Sequence, residues 1–76
     1  MSFKDNMKHL IIKCDRDLRI KDWTPFSNLD TILKTDLIFK GDLITTILDR
    51  LILYNWTYKD TFNANNNIYF LLINDN

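Results

Sequence analysis

Between residues 8 and 14 the chain alternates, with Leu10, Ile12 and Cys14 on one side and His9, Ile11 and Lys13 on the other. After Asp15-Arg16-Asp17 the alternation resumes, setting Leu18 and Ile20 against Arg19 and Lys21. Period two is the signature of a half-buried strand. A three-residue connection places Cys14 opposite Leu18 and Ile12 opposite Ile20, so the pattern predicts a hairpin with one apolar face.

The period then changes. Thr24-Pro25 reads as a helix start, with Thr as N-cap and Pro at the first helical position. Phe26, Leu29, Ile32 and Leu33 follow at helical spacing, and this short helix should end near Thr35. The stretch 36–40, DLIFK, fits an extended connector or a further helical turn. Gly41-Asp42 separates it from residues 42–56, DLITTILDRLILYNW, which read as a long amphipathic helix capped by Asp42. Leu43, Ile44, Ile47, Leu48, Leu51, Ile52 and Tyr54 form its broad apolar face, and Thr45, Thr46, Asp49 and Arg50 its wet stripe.

A second hairpin closes the pattern. Trp56, Tyr58 and Phe62 recur at even positions, interrupted by Asp60, and Asn63 to Asn67 suits a turn because Asn tolerates left-handed backbone. With Phe62 opposite Ile68, one face carries Trp56, Tyr58, Phe62, Ile68, Phe70 and Leu72. The other sets Thr57, Lys59 and Thr61 against Tyr69, Leu71 and Ile73. The last strand is thus apolar on both sides, and its second side needs either a cover or a partner.

Together these elements predict an α+β fold in a small single domain, residues 1–76, in the order β-β-α-α-β-β. Antiparallel hairpins, in one sheet or two, would pack on the long amphipathic helix. The expected core is Leu10, Ile12, Leu18, Ile20, Leu29, Ile32, Leu33, Ile44, Ile47, Leu48, Leu51, Trp56, Phe62, Ile68, Phe70 and Leu72.

Composition narrows the function classes. With 46% apolar residues among 76, the chain is too hydrophobic for intrinsic disorder. Ten basic and ten acidic residues cancel, which argues against a surface given over to nucleic acid. One cysteine allows no internal disulfide and fits a reduced, cytoplasmic setting. The N-terminal residues have too short an apolar run for a signal peptide, and no stretch is long enough to span a membrane. The chain lacks Val, Glu and Gln and is rich in Ile, Asn and Lys. An AT-rich coding bias accounts for the Ile, Asn and Lys, and short chains of this kind are common among phages and mobile elements.

Candidate chemistry is sparse. Asp15, Asp17 and Asp22 gather loosely around the first turn but lack the Gly and the bidentate acid of a calcium loop. His9 is the only histidine, and it points away from Cys14 in the expected hairpin, which argues against a Cys–His pair and against zinc. A lone Gly41 cannot make a phosphate-binding loop. The aromatic row Trp56, Tyr58, Phe62 and Phe70 lacks interleaved bases and reads as core rather than as a stacking platform. The sequence therefore predicts no enzyme, metal or cofactor.

Two surfaces remain. His9, Lys13, Arg19 and Lys21, joined by nearby Lys8, form a modest basic group on the wet face of the first hairpin, flanked by Asp15, Asp17 and Asp22, which blunt its field. Tyr69, Leu71 and Ile73 form the spare apolar face of the last strand. The expectation is a small interaction protein that occludes a surface of a larger protein or nucleoprotein complex, in the manner of a phage-encoded inhibitor of host defence. Self-association through the last strand is a variant. The alternative is a winged-helix-like nucleic-acid-binding module, since a helix followed by a hairpin has the recognition-helix-and-wing order. Its wet stripe offers only Arg50 for phosphate, so direct nucleic-acid binding is disfavoured.

Overall fold

The computed structural model describes residues 8–25 and 38–74. They form strand β1 (Lys8–Cys14), strand β2 (Ile20–Pro25), helix α1 (Ile44–Ile52), strand β3 (Thr57–Ala64) and strand β4 (Asn67–Asn74). The four strands make one antiparallel sheet in the order β2-β1-β4-β3. The first and last strands are therefore central neighbours, with Leu10 opposite Leu72, Ile12 opposite Phe70 and Cys14 opposite Ile68.

This corrects the expected β-β-α-α-β-β α+β arrangement. The described residues are mostly β, with one short helix and a single four-stranded sheet. The helix has nine residues rather than fifteen. Thr24-Pro25 ends β2 instead of starting a helix: Pro25 pairs with Leu10 and Thr24 with Ile11. A proline is tolerated there because β2 is an edge strand. The expected helical residues Phe26, Leu29, Ile32 and Leu33 lie outside the described residues. Asp42 does not cap α1. The N-cap is Leu43, without a side-chain hydrogen bond, and Asp42 instead faces Arg50 at 3.7 Å.

The core lies between α1 and one sheet face. Ile44, Ile47 and Leu51 of α1 cluster with Leu10, Ile12, Cys14, Ile20 and Leu72 of the sheet, together with Ile38 and Trp56. The spacing of three and four along the helix puts its three buried residues on one side. Leu18, Leu48 and Phe70 only flank this cluster and remain partly exposed. Phe62, expected inside, is 44% exposed.

Two irregularities explain the misplaced residues. In the first hairpin Cys14 pairs with Ile20, not Leu18, so the loop is five residues long. The Asp15 carboxylate accepts the backbone N–H groups of Asp17 (2.9 Å) and Arg19 (3.0 Å), a turn built without glycine. Leu18 takes a positive φ of 66°, and its carbonyl accepts the N–H of Ile44, tying the loop to the helix start. In the second hairpin the turn is only Asn65-Asn66, both with positive φ, as a two-residue hairpin of the mirror-image type requires. Ala64 then pairs with Asn67 and Phe62 with Tyr69. An extra residue, Lys59, bulges between the Tyr58–Leu72 and Asp60–Leu71 pairs and shifts the phase of β3. Tyr58 therefore stays on the helix side while Phe62 turns to the opposite face.

The C-terminus of α1 is closed by backbone chemistry. Trp56 N–H bonds to the Leu51 carbonyl and Asn55 N–H to the Ile52 carbonyl, while Asn55 has φ 72°. This is the Schellman pattern, completed by burial of Trp56 and Leu51 together. It explains why the apolar run stops being helical, because Asn55 supplies the left-handed residue and Trp56 anchors the exit.

Candidate functional site

On the sheet face away from α1, side chains form a grid set by the registers. One row runs Asp22, Lys13, Tyr69, Phe62 across β2, β1, β4 and β3. The next runs Ile11, Leu71, Asp60 across β1, β4 and β3, and a third sets His9 beside Ile73 and Thr57. The centre of the face is thus Ile11, Tyr69, Leu71 and Ile73, each half-buried. Phe62 stacks on Tyr69 with ring centroids 5.1 Å apart and planes 5° from parallel. The contact extends the apolar strip to the sheet edge. None of the described elements packs on this face, since the buried residues of α1 all belong to the cluster on the other side.

The predicted residues separate into two groups. Tyr69, Leu71 and Ile73 do share this face, and Lys13 lies beside Tyr69 on it. Lys21, the extra residue of a bulge between the Lys13–Asp22 and Cys14–Ile20 pairs, donates from Nζ to Asn67 Oδ1 at 3.2 Å. Arg19 does not join them. Its Nη1 donates to the Gly41 carbonyl at 2.9 Å, and its backbone bridges to Leu43. Arg19 thereby fastens the loop before the helix and is no part of a basic patch.

Strand β4 lies between β1 and β3, so its backbone is paired on both sides. Self-association through the last strand would therefore use its face, Tyr69, Leu71 and Ile73, and not an edge. The hairpin after the helix is likewise no free wing, because β4 pairs with β1 from Ile68 to Asn74. The wet side of α1 shows exposed Thr45, Thr46 and Asp49, with Arg50 drawn to Asp42.

Sequence reasoning missed two features. Ile11 and Phe62 belong to the candidate face. Ile11 sits directly opposite Leu71, and the alternation placed it there without singling it out. Phe62 was legible only through the bulge. The second feature is a run of exposed apolar side chains where α1 ends: Ile52 (63%), Leu53 (79%) and Tyr54 (52%). Asn55 between two aromatics was the available signal for the early stop.

Among the described residues no three His, Cys, Asp or Glu side chains gather as a metal site, and no helix is long and apolar enough to cross a membrane. Cys14 is fully buried, and burial, with the neighbouring Asp15 charge adding to it, pushes its thiol up to about 11. Such a thiol is protonated and inert at neutral pH. No protein-family model, characterised protein or solved structure matches this chain.

Proposed function

We propose that this chain is a small non-enzymatic protein-binding domain, working by occlusion of a larger partner, with the uncovered sheet face as its contact surface. One observation carries the reading: the outward side chains Tyr69, Leu71 and Ile73 of central strand β4 are apolar, with Ile11 of β1 beside them, where a solvated face would carry polar residues. Tyr69 and Phe62 supply rigid aromatic area of the kind that anchors protein contacts, and Leu71, Ile11 and Ile73 surround them. Lys13, Asp22 and Asp60 form a mixed-charge rim that would set orientation rather than affinity.

Size sharpens the claim. Four strands about 4.8 Å apart and three side-chain rows give a face of roughly 300 Å². A stable interface needs about 800 Å² per partner. The partner must therefore reach past the apolar centre onto an edge or a turn.

Affinity capture from the cell of origin, read by mass spectrometry with folded variants, tests this. The same partner should be retained by the native chain and by Leu53→Ser and lost by Leu71→Asp, with all three giving native circular dichroism. Retention by Leu71→Asp, or loss with Leu53→Ser alone, would overturn the assignment and, in the second case, move the contact to the end of α1.

A further inference from the structure

The two hairpin turns at one end of the sheet border an open cleft of about 380 Å³, lined by Arg16, Asn63, Ala64, Asn65, Asn66, Asn67 and Ile68. That is the size range of small-ligand sites. We propose that this cleft is an oxyanion site that takes a phosphate ester.

The chemistry of the lining points this way. Arg16 contributes a guanidinium that makes no hydrogen bond or ion pair with any other described residue. Its planar array of N–H groups matches two oxygens of a phosphate. A second cation is held at the rim, where Asn67 Oδ1 accepts Lys21 Nζ at 3.2 Å. Asn67 is itself braced by a bond from its Nδ2 to the Asn65 carbonyl at 3.1 Å. The carboxamides of Asn63, Asn65 and Asn66 add neutral donors. Among the described residues no acid lines the cleft: Asp17 stays outside it, and the Asp15 carboxylate is occupied within its own turn. Two cations and several amide donors, without a competing carboxylate, suit a doubly charged anion.

The surroundings favour a larger molecule than the anion alone. Along β4, Asn67 is followed on the same face by Tyr69, and along β3, Ala64 is preceded by Phe62. The stacked pair therefore lies one row from the cleft and could take a planar ring attached to the phosphate. A nucleotide and a phosphorylated side chain share the anchoring chemistry, and the ring distinguishes them.

The test is a titration of the full chain, at low ionic strength, followed by amide and side-chain nuclear magnetic resonance. The probes are inorganic phosphate, adenosine monophosphate and phosphoserine, with sodium chloride as control. Signals of Asn65, Asn66, Asn67 and the Arg16 Nε–H should shift saturably with phosphate and not with chloride. Arg16→Gln should weaken binding roughly ten- to a hundredfold while leaving the remaining spectrum in place. Additional shifts of Phe62 and Tyr69 with adenosine monophosphate support the site with a nucleotide as its source; tighter binding of phosphoserine supports it with a phosphorylated chain. No saturable shift at the cleft, or an unchanged curve in Arg16→Gln, overturns the proposal. The protein-binding reading stands or falls separately, on Leu71→Asp.

Discussion

Leu71 and Leu72 are identical in type and adjacent in β4, yet they lie on opposite faces of the sheet. Leu72 is 1% exposed and packs in the cluster with Leu10 and the buried side of α1. Truncating it to Ala removes buried methyl groups and leaves a closed cavity, at a cost of roughly 2–5 kcal/mol. Leu71 is half-buried on the face that no described element covers. Its truncation loses part of a transfer term of about 0.8 kcal/mol per methylene and opens no closed cavity, so about 1 kcal/mol is expected. In a domain of this size each kcal/mol shifts the melting temperature by about 4–8 °C, so the two variants should separate clearly. Urea unfolding followed by fluorescence is suitable because Trp56 is buried in the same cluster as Leu72. The two midpoints should differ while the slopes stay equal. Equal costs, or a greater cost for Leu71, would refute the face assignment and with it the candidate surface. The expected result also matters for function, because a face that tolerates truncation can be probed for binding without unfolding the domain.

Three further outcomes follow from local geometry. Asn55 holds the left-handed position of the helix exit, so Asn55→Gly should be at least as stable as the native chain, while Asn55→Ala should lie about 1 kcal/mol below the Gly variant in thermal melts. Asp15→Ala removes the acceptor of two backbone N–H groups and should cost roughly 1–2 kcal/mol by chemical denaturation, with Asp15→Asn recovering most of it. Cys14 keeps its proton to about 11 in the folded chain but releases it near 9.0 when unfolded, so its contribution to stability is full below pH 9 and is lost as pH rises through about 11. Cys14→Ala should flatten that decline when urea midpoints at pH 8 and pH 10.5 are compared, and the native thiol should resist alkylation at neutral pH until the chain unfolds.

The elements that local pattern placed well are those governed by simple alternation. Leu10, Ile12 and Cys14 were assigned one face of β1, and the structure buries all three. The spare apolar side of the last strand was legible for the same reason, because neighbouring strand side chains must point to opposite faces. The centre of the helix was legible too, since Ile44, Ile47 and Leu51 recur at helical spacing.

Local pattern failed where a single residue changes phase. Lys59 and Lys21 each add one residue to a strand, and no feature of either side chain announces a bulge. A slip of one position sends Phe62 to the opposite face, because strand periodicity is two. The helix was overestimated because its apolar run continues to Tyr54, while the backbone bonds at Asn55 and Trp56 turn the chain away. Strand order lay further still from local pattern. Nothing near β1 or β4 in sequence shows that they are partners, since their pairing joins residues more than fifty positions apart.

The sequence by itself determined which side chains could be buried, where the strands alternate, and that one strand carries more apolar surface than a single core can use. Only the tertiary structure decided that this strand sits in the middle of the sheet, beside Ile11, with Phe62 brought over by a bulge and Arg19 taken away to hold a loop. The physical reason is that alternation is a property of each strand alone. The surface presented to a partner depends on register, and register is set by hydrogen bonds between strands distant in the chain and by the one extra residue that shifts them.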